Sequence, residues 1–113
     1  MIAAPWLWAV FTIIANPAAP TAIVAQAGNG LTAPDGSLVS LAALVTDQYG
    51  NPVPNVTVDW SATAGSLIAP ATVDSTNGVA QDILNLPTTP TAVTITATID
   101  GTAIKAAFID NSM

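Results

Sequence analysis

The chain has 113 residues, 51% of them hydrophobic, and carries seven Asp against one cation, Lys105, for a formal net charge of −6. It contains no His, Cys, Glu or Arg, so Ser–His–Asp and Cys–His constellations and the common zinc ligand sets cannot be built. One cation cannot displace counterions from nucleic acid or hold an anionic lipid surface. No two Asp lie within seven residues of each other, so any acid–base pair would have to be assembled by the fold. The length is that of one domain, with enough apolar residues for a core that needs no disulfide. Only 7% of residues are charged, against roughly 25% in an average soluble protein, so Thr, Ser, Asn, Gln and Ala must make the solvent face.

Ile2 to Ala15 carries no charge. A helical span takes about 20 residues, and Pro5 further weakens a helix, so a membrane span is not expected. Ala25-Gln26-Ala27 resembles a small-residue cleavage site. However, no Lys or Arg precedes the apolar run, and cleavage there would remove a strand, which argues against a signal peptide. Val10, Phe11, Thr12, Ile13 and Ile14 are the β-branched and aromatic residues that strands prefer. The segment therefore reads as an apolar strand, followed by the stiff linker Asn16-Pro17-Ala18-Ala19-Pro20. Apolar on both faces, it must be covered on both. Trp6 and Trp8 leave the same side of such a strand and suit an interface anchor.

From Thr21 short strands alternate with turns. Strands are predicted over Ala22–Ala27, Ser37–Thr46, Pro54–Ser61, around Thr72–Asp74, over Val79–Leu86 and over Thr91–Ile99, with a last one through Phe108. Gly28-Asn29-Gly30, Asp47 to Pro52, Ala64-Gly65-Ser66 and Pro87 to Pro90 punctuate them. In the second strand Val39, Leu41, Ala43 and Val45 form the buried face. In the Thr91–Ile99 strand it is Val93, Ile95, Ala97 and Ile99. Thr76-Asn77-Gly78 is a hairpin signal. Asp100-Gly101 predicts a two-residue type I′ turn, with Ile99 opposite Thr102, with Ile104, Ala106 and Phe108 inward, and with Lys105 in solvent. About seven strands without helical periodicity indicate an all-β antiparallel β-sandwich over residues 21–113, with residues 1–20 as apolar N-terminal strand and Pro-rich linker. Trp60 is placed like a core tryptophan of such a fold.

The run Leu41-Ala42-Ala43-Leu44-Val45-Thr46-Asp47-Gln48-Tyr49-Gly50-Asn51-Pro52-Val53-Pro54-Asn55-Val56-Thr57-Val58 resembles the bacterial immunoglobulin-like domains of group 1, the repeats of intimin and invasin. Val73 to Ala80 and Thr94 to Gly101 carry the resemblance into the second half. It departs at Asp82, where the family has an apolar residue. An unpaired buried carboxylate costs several kcal/mol or takes up a proton, so a bulge turning Asp82 outward is the expectation.

The resemblance implies structure and adhesion rather than catalysis, with no catalytic, cofactor or metal residues. The expected role is a non-enzymatic structural subunit of an exterior assembly, a virion decoration or an extracellular filament. In it Trp6, Leu7, Trp8, Val10, Phe11, Ile13 and Ile14 form the assembly interface with copies of the chain or with a host assembly. The alternatives are a spacer or adhesion repeat of a bacterial surface adhesin, and a small carbohydrate- or peptide-binding module with Tyr49 at a loop tip. An extracellular, cell-surface or virion-surface location follows from each. Asp35, Asp100, Asp110 and Asn111 could serve calcium but lack the D-x-D-x-D-G spacing. Asn55-Val56-Thr57 matches the glycosylation triplet, a frequent chance match.

Overall fold

A computed structural model describes residues 19–113. Among the described residues there are nine strands and no helix: β1 (Ala22–Ala27), β2 (Thr32–Ala33), β3 (Leu38–Thr46), β4 (Thr57–Ala62), β5 (Ser66–Leu67), β6 (Ala71–Val73), β7 (Val79–Asn85), β8 (Thr91–Ile99) and β9 (Lys105–Ser112). A four-stranded sheet in the order β1-β3-β7-β5 packs on a five-stranded sheet in the order β2-β9-β8-β4-β6. All neighbours are antiparallel except β2, which runs parallel to β9. This is the sandwich that the alternation predicts, in the immunoglobulin-like form that the resemblance implies.

The core lies where the period-two faces meet. Val39, Leu41, Ala43 and Val45 of β3 point inward, opposed by Val93, Ile95, Ala97 and Ile99 of β8, and all are buried. Trp60 of β4 fills the centre against Phe108 of β9, ring centroids 5.7 Å apart and tilted by 40°. Its Nε1–H donates to Thr72 Oγ1 at 2.9 Å, so the one polar atom of the indole is satisfied from β6. Each large side chain removed from water here contributes about 1.5–3 kcal/mol.

The structure adds or moves several elements. β2 and β5 have two residues each, too short to show a period. β4 starts at Thr57, not Pro54, because Asn55 takes the left-handed conformation (φ 61°) and Val56 N–H is captured by the Asp74 carboxylate at 2.8 Å. Asn55 is thus an exposed bend residue rather than a strand residue. Thr76-Asn77-Gly78 makes a tight turn, with Gly78 N–H on Ser75 O and Ser75 N–H on Val79 O. It does not make a hairpin: β6 and β7 belong to different sheets, so this turn carries the chain across the sandwich.

The β8–β9 register also differs. Thr98 faces Lys105, and Ile99 N–H bonds Ile104 O, which displaces the pairing by two residues from the predicted one. Gly101 alone has positive φ, which excludes a type I′ turn. Thr102 instead builds a longer loop, its hydroxyl donating to Ile99 O at 2.8 Å and accepting from Ile104 N–H at 3.0 Å. A shift of two preserves side-chain parity. Phe108 is therefore buried, Ile104 and Ala106 pack on the core and Lys105 is exposed, as expected.

Asp82 overturns the expected bulge. The β3–β7 ladder is unbroken, with Leu41 opposite Asp82, and the Asp82 side chain is buried between Ala80 and Leu84. Its Oδ1 accepts from Ile83 N–H at 2.8 Å and Ala69 N–H at 3.2 Å. The carboxylate thereby ties the segment after β5, where the chain leaves regular pairing, to β7.

Replacing Thr72 by Val should leave the Trp60 indole N–H buried and unpartnered, at a cost of about 1–3 kcal/mol. Urea unfolding followed by Trp fluorescence would read this as a lower midpoint at unchanged slope.

Candidate functional site

The described residues hold no converging set of reactive groups, and no three acidic side chains come together as metal ligands. Asp35, Asp100, Asp110 and Asn111 do not meet. Asp110 lies inside the sandwich on β9, where its Oδ1 accepts from Leu31 N–H at 2.8 Å and clamps the loop before β2. Asp74 does the same for Val56. Each of Asp74, Asp82 and Asp110 keeps a second oxygen that is buried without a hydrogen bond. Asp47 organises the turn after β3, accepting from Tyr49 N–H at 2.9 Å and Asn51 N–H at 3.0 Å. Tyr49 stands exposed at the tip of that turn.

Burial raises the Asp74 and Asp110 carboxyls above the ordinary aspartate value of 3.8, against the opposing effect of their backbone hydrogen bonds. Asp59 is raised too, first by a hydrogen bond shared with the Asp100 carboxyl, then by desolvation and charge repulsion. The only two acids that approach each other so closely come from the β4 strand and the β8–β9 loop, a pairing made by the fold and not by sequence proximity. Asp74 and Asp110 clamp loops, while Asp59 and Asp100 repel each other.

The two outer faces differ in charge. On the five-stranded sheet Asp59, Thr98 and Lys105 form one cross-strand row, within a surface of Thr and the exposed Val73 and Ile109. On the four-stranded sheet no charged side chain of the strands points outward. Val24 (49% exposed), Leu38 (62%) and Ile83 (36%) stand there with Leu44 and Val79, and Ile68 (66%) follows β5. A half-open groove of about 410 Å³ runs from Ser40, Ala42, Gln81 and Ile83 on this face past Ile68 to Asp82 and to Thr72 of the other sheet. Leu38, Ala42 and Leu44 share the outer side of β3 with Ser40, and this break in polar alternation was the signal for an apolar outer face. Trp6, Leu7, Trp8, Val10, Phe11, Ile13 and Ile14, the interface residues expected from sequence, lie outside the described residues.

The poles of the sandwich matter as much as its faces. The chain reaches β1 beside Thr46, the last residue of β3, and Thr21 N–H bonds Thr46 O. It leaves through Ser112, which faces Thr91 at the start of β8, and Met113 bonds Ala33 and Asp35. The start of β8 shares its pole with the end of β4 and the start of β3, since Thr63 bonds Thr94 and Ser66 and Leu38 both face Asn85. The chain thus arrives at one pole and departs at the other.

Two packed sheets with terminal strands running out of opposite poles define an immunoglobulin-type domain. Within that class the chain belongs to the bacterial Ig-like domain (group 1) family, whose pattern matches residues 24–110. Among solved structures it is similar to the D0-D1 domain of intimin, at 26% identity and a TM-score of 0.62 over 80% of this chain and 47% of that one. It is similar to the C-terminal 282-residue fragment of intimin in complex with the translocated intimin receptor (Tir) intimin-binding domain, at 23% identity and a TM-score of 0.67 over 84% of this chain and 33% of that one. The adhesin InvE of Yersinia pseudotuberculosis matches at 21% identity and a TM-score of 0.60, over 80% of this chain and 25% of that one. The chain spans less than half the length of each of these solved chains. No curated protein matches it.

The raised carboxyls give a pH dependence of definite sign. A folded state whose acids sit above 3.8 binds protons more tightly than the unfolded chain. The stability they contribute is complete below that value and is lost as pH rises through the raised values. Calorimetry should therefore find a higher Tm near about pH 4 than near about pH 7, and Asp110→Asn should flatten that difference.

Proposed function

We propose that this chain is a non-enzymatic, load-bearing spacer of an exported adhesin-type surface protein. Family membership supports the class, and the adhesin neighbours support a surface or extracellular setting and protein partners. The observation that carries the reading is the path of the chain between the two poles.

Tension on the N-terminal side draws β1 along β3, to which it pairs from Ala22 to Ala27. Tension on the C-terminal side draws β9 along β8, to which it pairs from Lys105 to Ser112. Antiparallel hydrogen bonds lie perpendicular to the strands. Both pulls therefore load a whole ladder at once in shear. The C-terminal anchor is reinforced, with Ser112 Oγ donating to Thr89 O at 2.7 Å and accepting from Thr91 N–H at 2.9 Å. A spacer under tension needs these terminal ladders and no reactive group.

The earlier expectation of a virion or filament subunit gives way here to the adhesin-repeat reading, which the relatives favour. Tyr49 is explained by the turn that Asp47 holds, so the loop-tip binding module has no separate observation behind it.

The absence of cysteine makes the test clean. Handles on Thr21→Cys and Met113→Cys pull in shear, whereas handles on Thr21→Cys and Tyr49→Cys separate β1 from β3 one bond at a time. Single-molecule pulling should give a rupture force several-fold higher for the first pair. Equal forces would sink the load-bearing reading.

A further inference from the structure

We propose that the open edge of β1 and the uncharged outer face beside it bind the apolar segment Ile2–Ala15 of a second copy of this chain. The proposal does not rest on the spacer reading.

The edge itself is the first reason. β1 reads Ala-Ile-Val-Ala-Gln-Ala, pairs with β3 on one side and has no neighbour on the other among the described residues. An edge strand presents a row of unpaired backbone donors and acceptors, and proteins usually guard it with a charge, a Pro or a covering loop. Within β1 there is no charge and no Pro. Its irregularity between Ala25 and Ala27 comes only at the far end, leaving Ala22 to Ala25 in regular pairing geometry.

The second reason is electrostatic. A chain of net charge −6 repels its own copies. The outer face of the four-stranded sheet is where that repulsion is weakest. The only Asp on its strands, Asp82, is buried and meets the surface only in the wall of the groove, while Asp59 and Lys105 lie on the opposite sheet and Asp100 in its β8–β9 loop. Val24 and Leu44 lie side by side on this face, and the groove past Ala42 continues it. A segment added beside β1 would bond its edge and set alternate side chains over this face, so affinity would come from the backbone and selectivity from the side chains.

The third reason is the occupant. Ile2 to Ala15 is uncharged and spans about 46 Å if extended, at roughly 3.3 Å per residue, more than twice the length of β1. It is joined to β1 by Asn16-Pro17-Ala18-Ala19-Pro20. Two prolines in five residues make this a semi-rigid spacer, and Thr21 is already bonded to Thr46 immediately after the second. Two prolines so close together disfavour the short reversal that would lay the segment on its own β1, and this argues for the β1 of another copy as its partner. Trp6 and Trp8, on one side of the added strand, are suited to anchor the contact.

The test uses the full chain and two variants. Val24→Lys places a charge on an exposed position of the edge, and Trp6→Ser/Trp8→Ser alters only the donated segment. Molar mass would be followed by light scattering across micromolar concentrations, with circular dichroism confirming the fold. The wild-type chain should self-associate, and each variant should weaken that association by at least about tenfold. A wild-type chain that stays monomeric overturns the proposal. So does an assembly that survives Val24→Lys, which would place the segment on another surface. An assembly that survives the tryptophan substitutions would show face-to-face pairing without the segment and overturn it equally. None of these outcomes alters the rupture-force comparison, so the two readings fail separately.

Discussion

The contact between Trp60 and Phe108 fills the inner face of the five-stranded sheet and anchors the core of this sandwich. Two rings at 5.7 Å bring β4 and β9 into one layer of the core although they are separated by β8 in the sheet. The indole N–H is satisfied from Thr72, so burying the ring also ties β6 to its place beside β4. With β6 placed, the chain must cross to β7, and the tight turn through Gly78 does this. Packing of one side chain thereby reinforces the β4–β6 pairing that the backbone ladder makes.

Buried carboxylates finish what the core begins. Asp74, Asp82 and Asp110 each hold a backbone N–H in a stretch that leaves the ladder: Val56 before β4, Ala69 after β5 and Leu31 before β2. Four of the seven acids are buried, Asp47 in the turn after β3 and these three at the margins of the ladders. Each of the three gains a charge-assisted hydrogen bond and leaves an oxygen without one, so the clamp works against its own desolvation.

The strands were legible where period two was long and clean, as in Leu38–Thr46 and Thr91–Ile99. Trp60 was legible as a core residue because Val56 and Val58 share its parity. Three matters were not legible. Asn77-Gly78 has the chemistry of a hairpin turn, but a turn does not record which sheet its flanking strands join. Asp100-Gly101 carries a two-residue signal, which the Thr102 hydroxyl overrides by bonding both Ile99 and Ile104. Asp82 looked too costly to bury because its partner, the Ala69 amide, is distant in sequence and emerges only after β5 and β7 pair. The apolar outer face was partly visible in Leu38, Ala42 and Leu44, but whether a face looks to core or solvent depends on the second sheet.

Lys105 carries a consequence for durability outside the cell. It is the only residue after which a trypsin-like protease could cut, and its bond to Ala106 lies within β9, with both residues paired to β8. Such proteases bind their substrates as open, extended backbone. The folded domain therefore offers them nothing until β9 separates from β8, and cutting then proceeds only as fast as that separation allows. Digestion by trypsin becomes a direct reading of how often the C-terminal ladder opens.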